Sequence, residues 1–328
     1  MLRFHSSMYM FINKIKNSFF EIFIESKKIF IVLFKVIVPI VIIIRILEVM
    51  GLIPIFAKLL EPLTSFVGID GSLGLVWMAA MLVNIYAGMA AFATLQSMFD
   101  YSVAETTIVG LMLLIAHSLP IEVAIAKKSG ISASFTLIFR FINALIAGKL
   151  LFFLYQYFDL YQELNVSVLA IPDSNISHVE WGISQIKNFL MIFSIIFSII
   201  TLINLLKSFG IWQFILRILK VPLNFLGMSD KVANIILIGL TLGISFGGGF
   251  LIEESKKKEI TKKDIFLSMA FLGLCHSIIE DTILILLLGS HISGILFFRL
   301  IYTIFIILIV KIILETRYSD RILKLFIN

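Results

Sequence analysis

Two stretches of this chain decide how it is read: His117-Ser118-Leu119-Pro120-Ile121-Glu122 and His276-Ser277-Ile278-Ile279-Glu280-Asp281. They stand 159 residues apart, and each lies inside a long apolar run. In each, a carboxylate follows the histidine by five residues. The same offset, without a gap, matches Gly51 to Gly210, Lys58 to Arg217, Phe66 to Phe225, Gly68 to Gly227, Gly88 to Gly247 and Ser134 to Ser293. It also matches Phe139-Arg140 to Phe298-Arg299. Apolar coincidences mean little in a chain that is 60% hydrophobic, but coincident His and Arg inside apolar runs are informative. The chain reads as an internal repeat.

Composition sets the medium. Only 15% of the 328 residues are charged, against about 25% in a soluble domain. A soluble chain of this length could not hide so much apolar surface. A water-soluble enzyme, a disordered chain and a nucleic-acid binder are excluded, and the lipid bilayer is the expected partner. The net charge of +6 then reports topology rather than a nucleic-acid partner. A single cysteine, Cys275, excludes a disulfide framework and a thiolate zinc site.

Apolar runs fall at 29–50, 72–97, 105–127, 131–156, 188–209, 232–252, 265–288 and 294–315, each near or above the roughly 20 residues that span a bilayer. Loop charges favour six crossings. If 72–97 and 232–252 return to the side they entered, Lys127, Lys128, Lys256-Lys257-Lys258 and Arg317 share the inner side. The outer loops then hold mainly acids, as the positive-inside rule asks. Both returning segments carry turn chemistry, Asn84-Ile85-Tyr86-Ala87-Gly88 and Gly243-Ile244-Ser245-Phe246-Gly247-Gly248-Gly249. Three crossings per repeat is odd, so the second repeat is inverted, as in many secondary transporters.

The fold expected is an all-α polytopic membrane protein of two inverted repeats. Each has three transmembrane helices, one amphipathic surface helix (52–66; 211–225) and one re-entrant helical hairpin. The expected units are an amphipathic N-terminal segment 1–28, repeat one 29–156, an outer connector 157–187, repeat two 188–315 and a cytoplasmic tail 316–328. Both termini are expected in the cytoplasm. Trp77, Trp181 and Trp212 are expected as interface anchors.

Ionisable groups inside a membrane are costly and mark function by default. The expected solute site lies between hairpin tips and broken helices: Asn84, Tyr86, Gly88, His117, Ser118, Glu122, Ser245, Gly247, Gly248, His276, Ser277, Glu280 and Asp281. Similar distances from the intervening turns place Glu122 at about the depth of Arg140, and Asp281 at about that of Arg299. Two buried ion pairs are expected there. Two His and two carboxylates would suit zinc or ferrous iron, so a metal is left open. No P-loop, catalytic triad or nucleophile elbow occurs, so no enzyme and no cofactor is expected.

The stretches around Asn84–Gly88, His117–Glu122 and Gly273–Thr282 resemble the Gate, or nucleoside-recognition, membrane family, over about residues 30–315 as two Gate units. Related units occur in the membrane part of ferrous-iron transporters and in spore-maturation membrane proteins. The architecture is also similar to that of concentrative nucleoside transporters. The resemblance implies a bacterial inner-membrane transporter of a small polar, nucleoside-like solute, with homo-oligomerisation left open. The alternatives are a divalent-metal permease working with a separate partner and a non-transporting assembly protein.

Overall fold

The computed structural model describes residues 20–24, 26–28, 30–31, 34–35, 38–39, 41–169, 177–208, 211–256, 260–316, 323 and 326. Its helices run in order α1 (41–49), α2 (Ile53–Val67), α3 (Leu73–Leu82), α4 (Ile85–Leu95), α5 (Val103–Ile115), α6 (Leu119–Lys128) and α7 (Ala133–Tyr157). Then come α8 (His178–Ser208), α9 (Ile211–Phe225), α10 (Asp230–Lys256), α11 (Lys262–Leu274) and α12 (Glu280–Leu286). A π-helical turn, Ser293–Phe298, leads into α13 (Arg299–Leu314). No strand occurs among the described residues. Most of the expected N-terminal segment and tail lie outside them.

The long helices are turned inside out relative to a soluble protein. In α7, Leu137, Ile138, Ile142, Ile146 and Phe153 face outward, while Thr136, Arg140 and Asn143 are buried. In α13, Ile301, Phe305 and Ile312 face outward, while Arg299, Tyr302 and Thr303 are buried. Apolar surface outside and polar groups inside suit a hydrocarbon solvent. Among the described residues, four helical stretches are long and apolar enough to cross a membrane: Val103–Lys128, which is α5 and α6 taken together, Ala133–Tyr157, Val179–Leu202 and Ser293–Leu314.

Local structure recurs at the 159-residue offset. Ser102 Oγ caps α5 by accepting the Glu105 N–H at 3.1 Å, and Thr261 Oγ1 caps α11 by accepting the Asp264 N–H at 3.1 Å. The same acids bind the preceding loop, with Asp70 N–H donating to Glu105 and Ser229 N–H to Asp264. Left-handed glycines recur at Gly68 and Gly227, and at Gly130 and Gly289. On α2 the exposed residues Ile55, Leu59 and Phe66 form one stripe, and on α9 Phe214, Ile218 and Phe225 form its counterpart. Such spacing gives one apolar helix face.

Short helices replace spans where the turn chemistry falls. α3 and α4 have 10 and 11 residues, so each reaches only about 15 Å at 1.5 Å per residue, half a hydrocarbon core of about 30 Å. Between them Asn84 is extended (φ −169) and its side chain caps α4 by accepting the Ala87 N–H at 2.9 Å. At the matching place α10 is interrupted at Gly243 (φ 81, ψ 171), a conformation only glycine adopts without strain.

Gly88 has a packing position. A Cβ there would meet Ala80 Cβ at 2.7 Å and Leu113 Cδ2 at 2.9 Å. Its absence lets α4 approach α3 and α5. Gly88→Ala is expected to lower stability by about 1–3 kcal/mol through overpacking. Thermal unfolding in detergent measures this, and an unchanged Tm would show that the hairpin yields freely.

The apolar run 265–288 is divided into α11 and α12, because Cys275 (φ −144, ψ 77) and Ser277 (φ 45) leave helical geometry. One expectation is corrected here. Trp77 is not an interface anchor: it is 3% exposed and stacked on Phe141 at 5.2 Å. α8 begins at His178.

Candidate functional site

The site grows out of two helix ends. A helix leaves its last carbonyls without internal partners, and inside a bilayer no water supplies them. α5 ends at Ile115 and α11 at Leu274, 159 residues apart. Beyond them Ala116 (φ −140, ψ 60) and Ser118 (φ 51) break the chain as Cys275 and Ser277 do. Pro120 accompanies the first break, but Ile279 stands in its place at the second, so proline is not the common cause. What both share is a backbone lock: Ser118 N–H donates to Ala80 O (2.9 Å) and Ser277 N–H to Gly239 O (3.1 Å). A Cβ on Gly243 would stand 2.6 Å from Ser277 Oγ, so that glycine makes room for the second break.

Cationic and imidazole groups satisfy the freed carbonyls. His117 Nδ1 donates to Leu113 O and His276 Nδ1 to Leu272 O, both at 2.8 Å. Arg140 Nε donates to Ile115 O at 2.8 Å, and Arg299 Nε to Leu274 O at 2.9 Å. Arg299 Nη2 also reaches Leu114 O and His276 O, each at 3.0 Å. Both arginines are fully buried. Positive charge at a helix C-terminus complements the dipole. The histidines therefore lie at the breaks, not in mid-helix.

The carboxylates sit at the opposite poles, in the first turns of α6 (Glu122) and α12 (Asp281), where negative charge suits the dipole. Glu122 Oε2 is ion-paired with Arg140 Nη1. Asp281 does not repeat this. Its side chain is one methylene shorter than glutamate, and Arg299 turns instead to three backbone carbonyls. The expected Asp281–Arg299 pair is thus replaced by carbonyl capping. Arg299 Nη1 and Asp281 Oδ2 are both buried and make no hydrogen bond among the described residues.

Four atoms converge between the breaks. His117 Nε2 and His276 Nε2 are 3.2 Å apart. Glu122 Oε1 lies 3.7 Å from His117 Nε2 and 3.4 Å from His276 Nε2. Asp281 Oδ2 lies 3.6 Å from His117 Nε2 and 3.9 Å from His276 Nε2. All four residues are at most 5% exposed. A carbonyl can only accept, so each Nδ1 carries the ring proton. In neutral imidazole the other nitrogen is then a lone pair. Two lone pairs and two carboxylate oxygens face one another, an arrangement that a cation stabilises.

The remaining expected residues divide around this centre. Tyr86, from the first hairpin, donates through its hydroxyl to Glu280 Oε1 at 3.0 Å. Ser118 and Ser277 hold the breaks through their backbone, and Asn84 caps α4. Ser245, Gly247 and Gly248 lie within helical α10, with side-chain surroundings outside the described residues. One contact escaped the sequence pattern. Tyr302 donates to Asn143 Oδ1 at 2.6 Å, and these residues also stand 159 apart. They differ in type, so matching identical residues passes over them. The same separation holds for the touching pair His117 and His276. Tyr302→Phe is expected to cost about 1–3 kcal/mol by orphaning a buried amide oxygen. A Tm equal to that of the unaltered protein would contradict this.

No protein-family model matches the chain. No solved structure matches it. One curated relative is similar along most of its length. It is the uncharacterized membrane protein YvoD of Bacillus subtilis (strain 168), 26% identical over 273 residues, which cover 81% of this chain and 85% of the relative. Together with the outward apolar faces of α7 and α13, this makes the chain an all-α membrane protein. No family match supports the resemblance to the Gate family.

Proposed function

We propose that the chain is a secondary transporter of a small polar solute, built from two inverted repeats in a bacterial inner membrane, with both termini cytoplasmic. One observation carries the reading. Two helices break 159 residues apart, and the breaks meet around four buried polar groups. Structural ion pairs alone do not need paired breaks. Broken helices facing each other at depth are how transporters bind cargo inside a bilayer. Loop charges support the orientation, with Lys127 and Lys128 on the inner side.

The four groups are lone-pair donors closely spaced, which favours a small cationic solute over one of nucleoside size. Tyr86 and Glu280 join the hairpin to α12 beside the centre, so hairpin movement would open a route to it. The test is uptake by liposomes containing the purified full chain, with nucleosides, divalent cations and protons offered in turn. Saturable uptake of one of them is expected. Uptake no faster than in empty liposomes for all three would remove the transport reading and leave a role in membrane assembly.

A further inference from the structure

We infer that His117, His276 and Asp281, with Glu122 as a weaker fourth ligand, bind one divalent transition-metal ion. That the ion is cargo rests on the transport reading above; that it binds does not.

Three independent features point to a metal. The first is geometry. Metal–nitrogen and metal–oxygen bonds of about 2.0–2.2 Å in a tetrahedron put ligand atoms about 3.3–3.6 Å apart. The five separations here run from 3.2 to 3.9 Å. The second is tautomer. A metal-binding histidine characteristically donates its other ring N–H to a carbonyl or carboxylate, which orients the ring. Both histidines do so, to Leu113 O and Leu272 O. The third is the buried, unbonded Asp281 Oδ2, which faces the two Nε2 atoms. A buried carboxylate oxygen without a donor is expensive, and a metal ion would satisfy it.

Ligand chemistry narrows the ion. Two imidazoles with carboxylate suit zinc, ferrous iron and their neighbours, whereas magnesium and calcium prefer all-oxygen shells. Occupancy is graded across the set. Asp281 is free of any ion pair with arginine, while Glu122 already shares its charge with Arg140. Three firm ligands and one weak one leave an exchangeable position, the pattern of sites that release what they bind rather than of closed structural sites.

The probe is Co2+ titrated into the full chain purified in detergent, followed by its visible d–d absorption and by Tm. One ion per chain is expected, with the intense bands of low coordination and a rise in Tm by mass action. Asp281→Asn, nearly isosteric, should weaken binding at least tenfold and remove the Tm rise. Glu163→Gln, at an exposed carboxylate beside the far end of α5 and outside the site, should leave both unchanged. Absence of binding in the unaltered protein, or binding undiminished in Asp281→Asn, would overturn the inference and leave a proton shared between the imidazoles. Metal binding without liposome uptake would keep the site and remove the transport reading. Uptake of another solute by a chain that binds no metal would do the reverse.

Discussion

Arg140→Met should destabilise the protein by about 3–5 kcal/mol, the range found when one partner of a buried ion pair is removed. The change strips Glu122 of its partner and Ile115 O of its donor in one step. Glu122→Gln added to Arg140→Met should restore much of the loss, because the uncompensated buried charge is gone. The matching cycle in the second repeat behaves differently. Arg299→Met and Asp281→Asn should show coupling smaller by about 1 kcal/mol or more, because Arg299 spends its hydrogen bonds on carbonyls rather than on Asp281. Denaturant unfolding of the four single and two double variants in detergent measures both cycles. Equal coupling in the two repeats would contradict the asymmetry. So would a mild Arg140→Met.

The second large effect is on activity. His117→Gln and His276→Gln should each slow solute uptake about tenfold or more, a loss comparable to that from disturbing groups around a metal site. The two should be similar in size, since both Nε2 atoms face the same centre from equivalent breaks. If the histidines serve only to hold Leu113 O and Leu272 O, the variants would lose stability and keep uptake per folded molecule. Measuring uptake against the folded fraction separates these outcomes.

Much of this arrangement was legible in the sequence because rare residues are conspicuous in apolar runs. His117 and His276 announced the 159-residue offset at which local structure recurs, and the turn-forming Asn84 and Gly243 lie where the helices stop. The meeting of Glu122 with Arg140 followed from counting rise per residue on either side of a turn. The same count misjudged Asp281 and Arg299, because depth does not include side-chain length or competition from carbonyls. Hydropathy could not find the break at Cys275–Ser277, since both halves of 265–288 are equally apolar. The break is fixed by backbone geometry and by the room Gly243 leaves for Ser277. The tautomers of the two histidines were equally out of reach, for they depend on carbonyls freed by those breaks.

The central claim is that two broken helices place His117, His276, Asp281 and Glu122 around one cation. The most direct measurement is an anomalous-scattering map of the full chain crystallised with Zn2+. A single strong peak is predicted between the breaks, about 2.0–2.2 Å from both Nε2 atoms and an Asp281 oxygen. A map with zinc only at surface residues, and the two imidazoles bonded directly to each other, would contradict it.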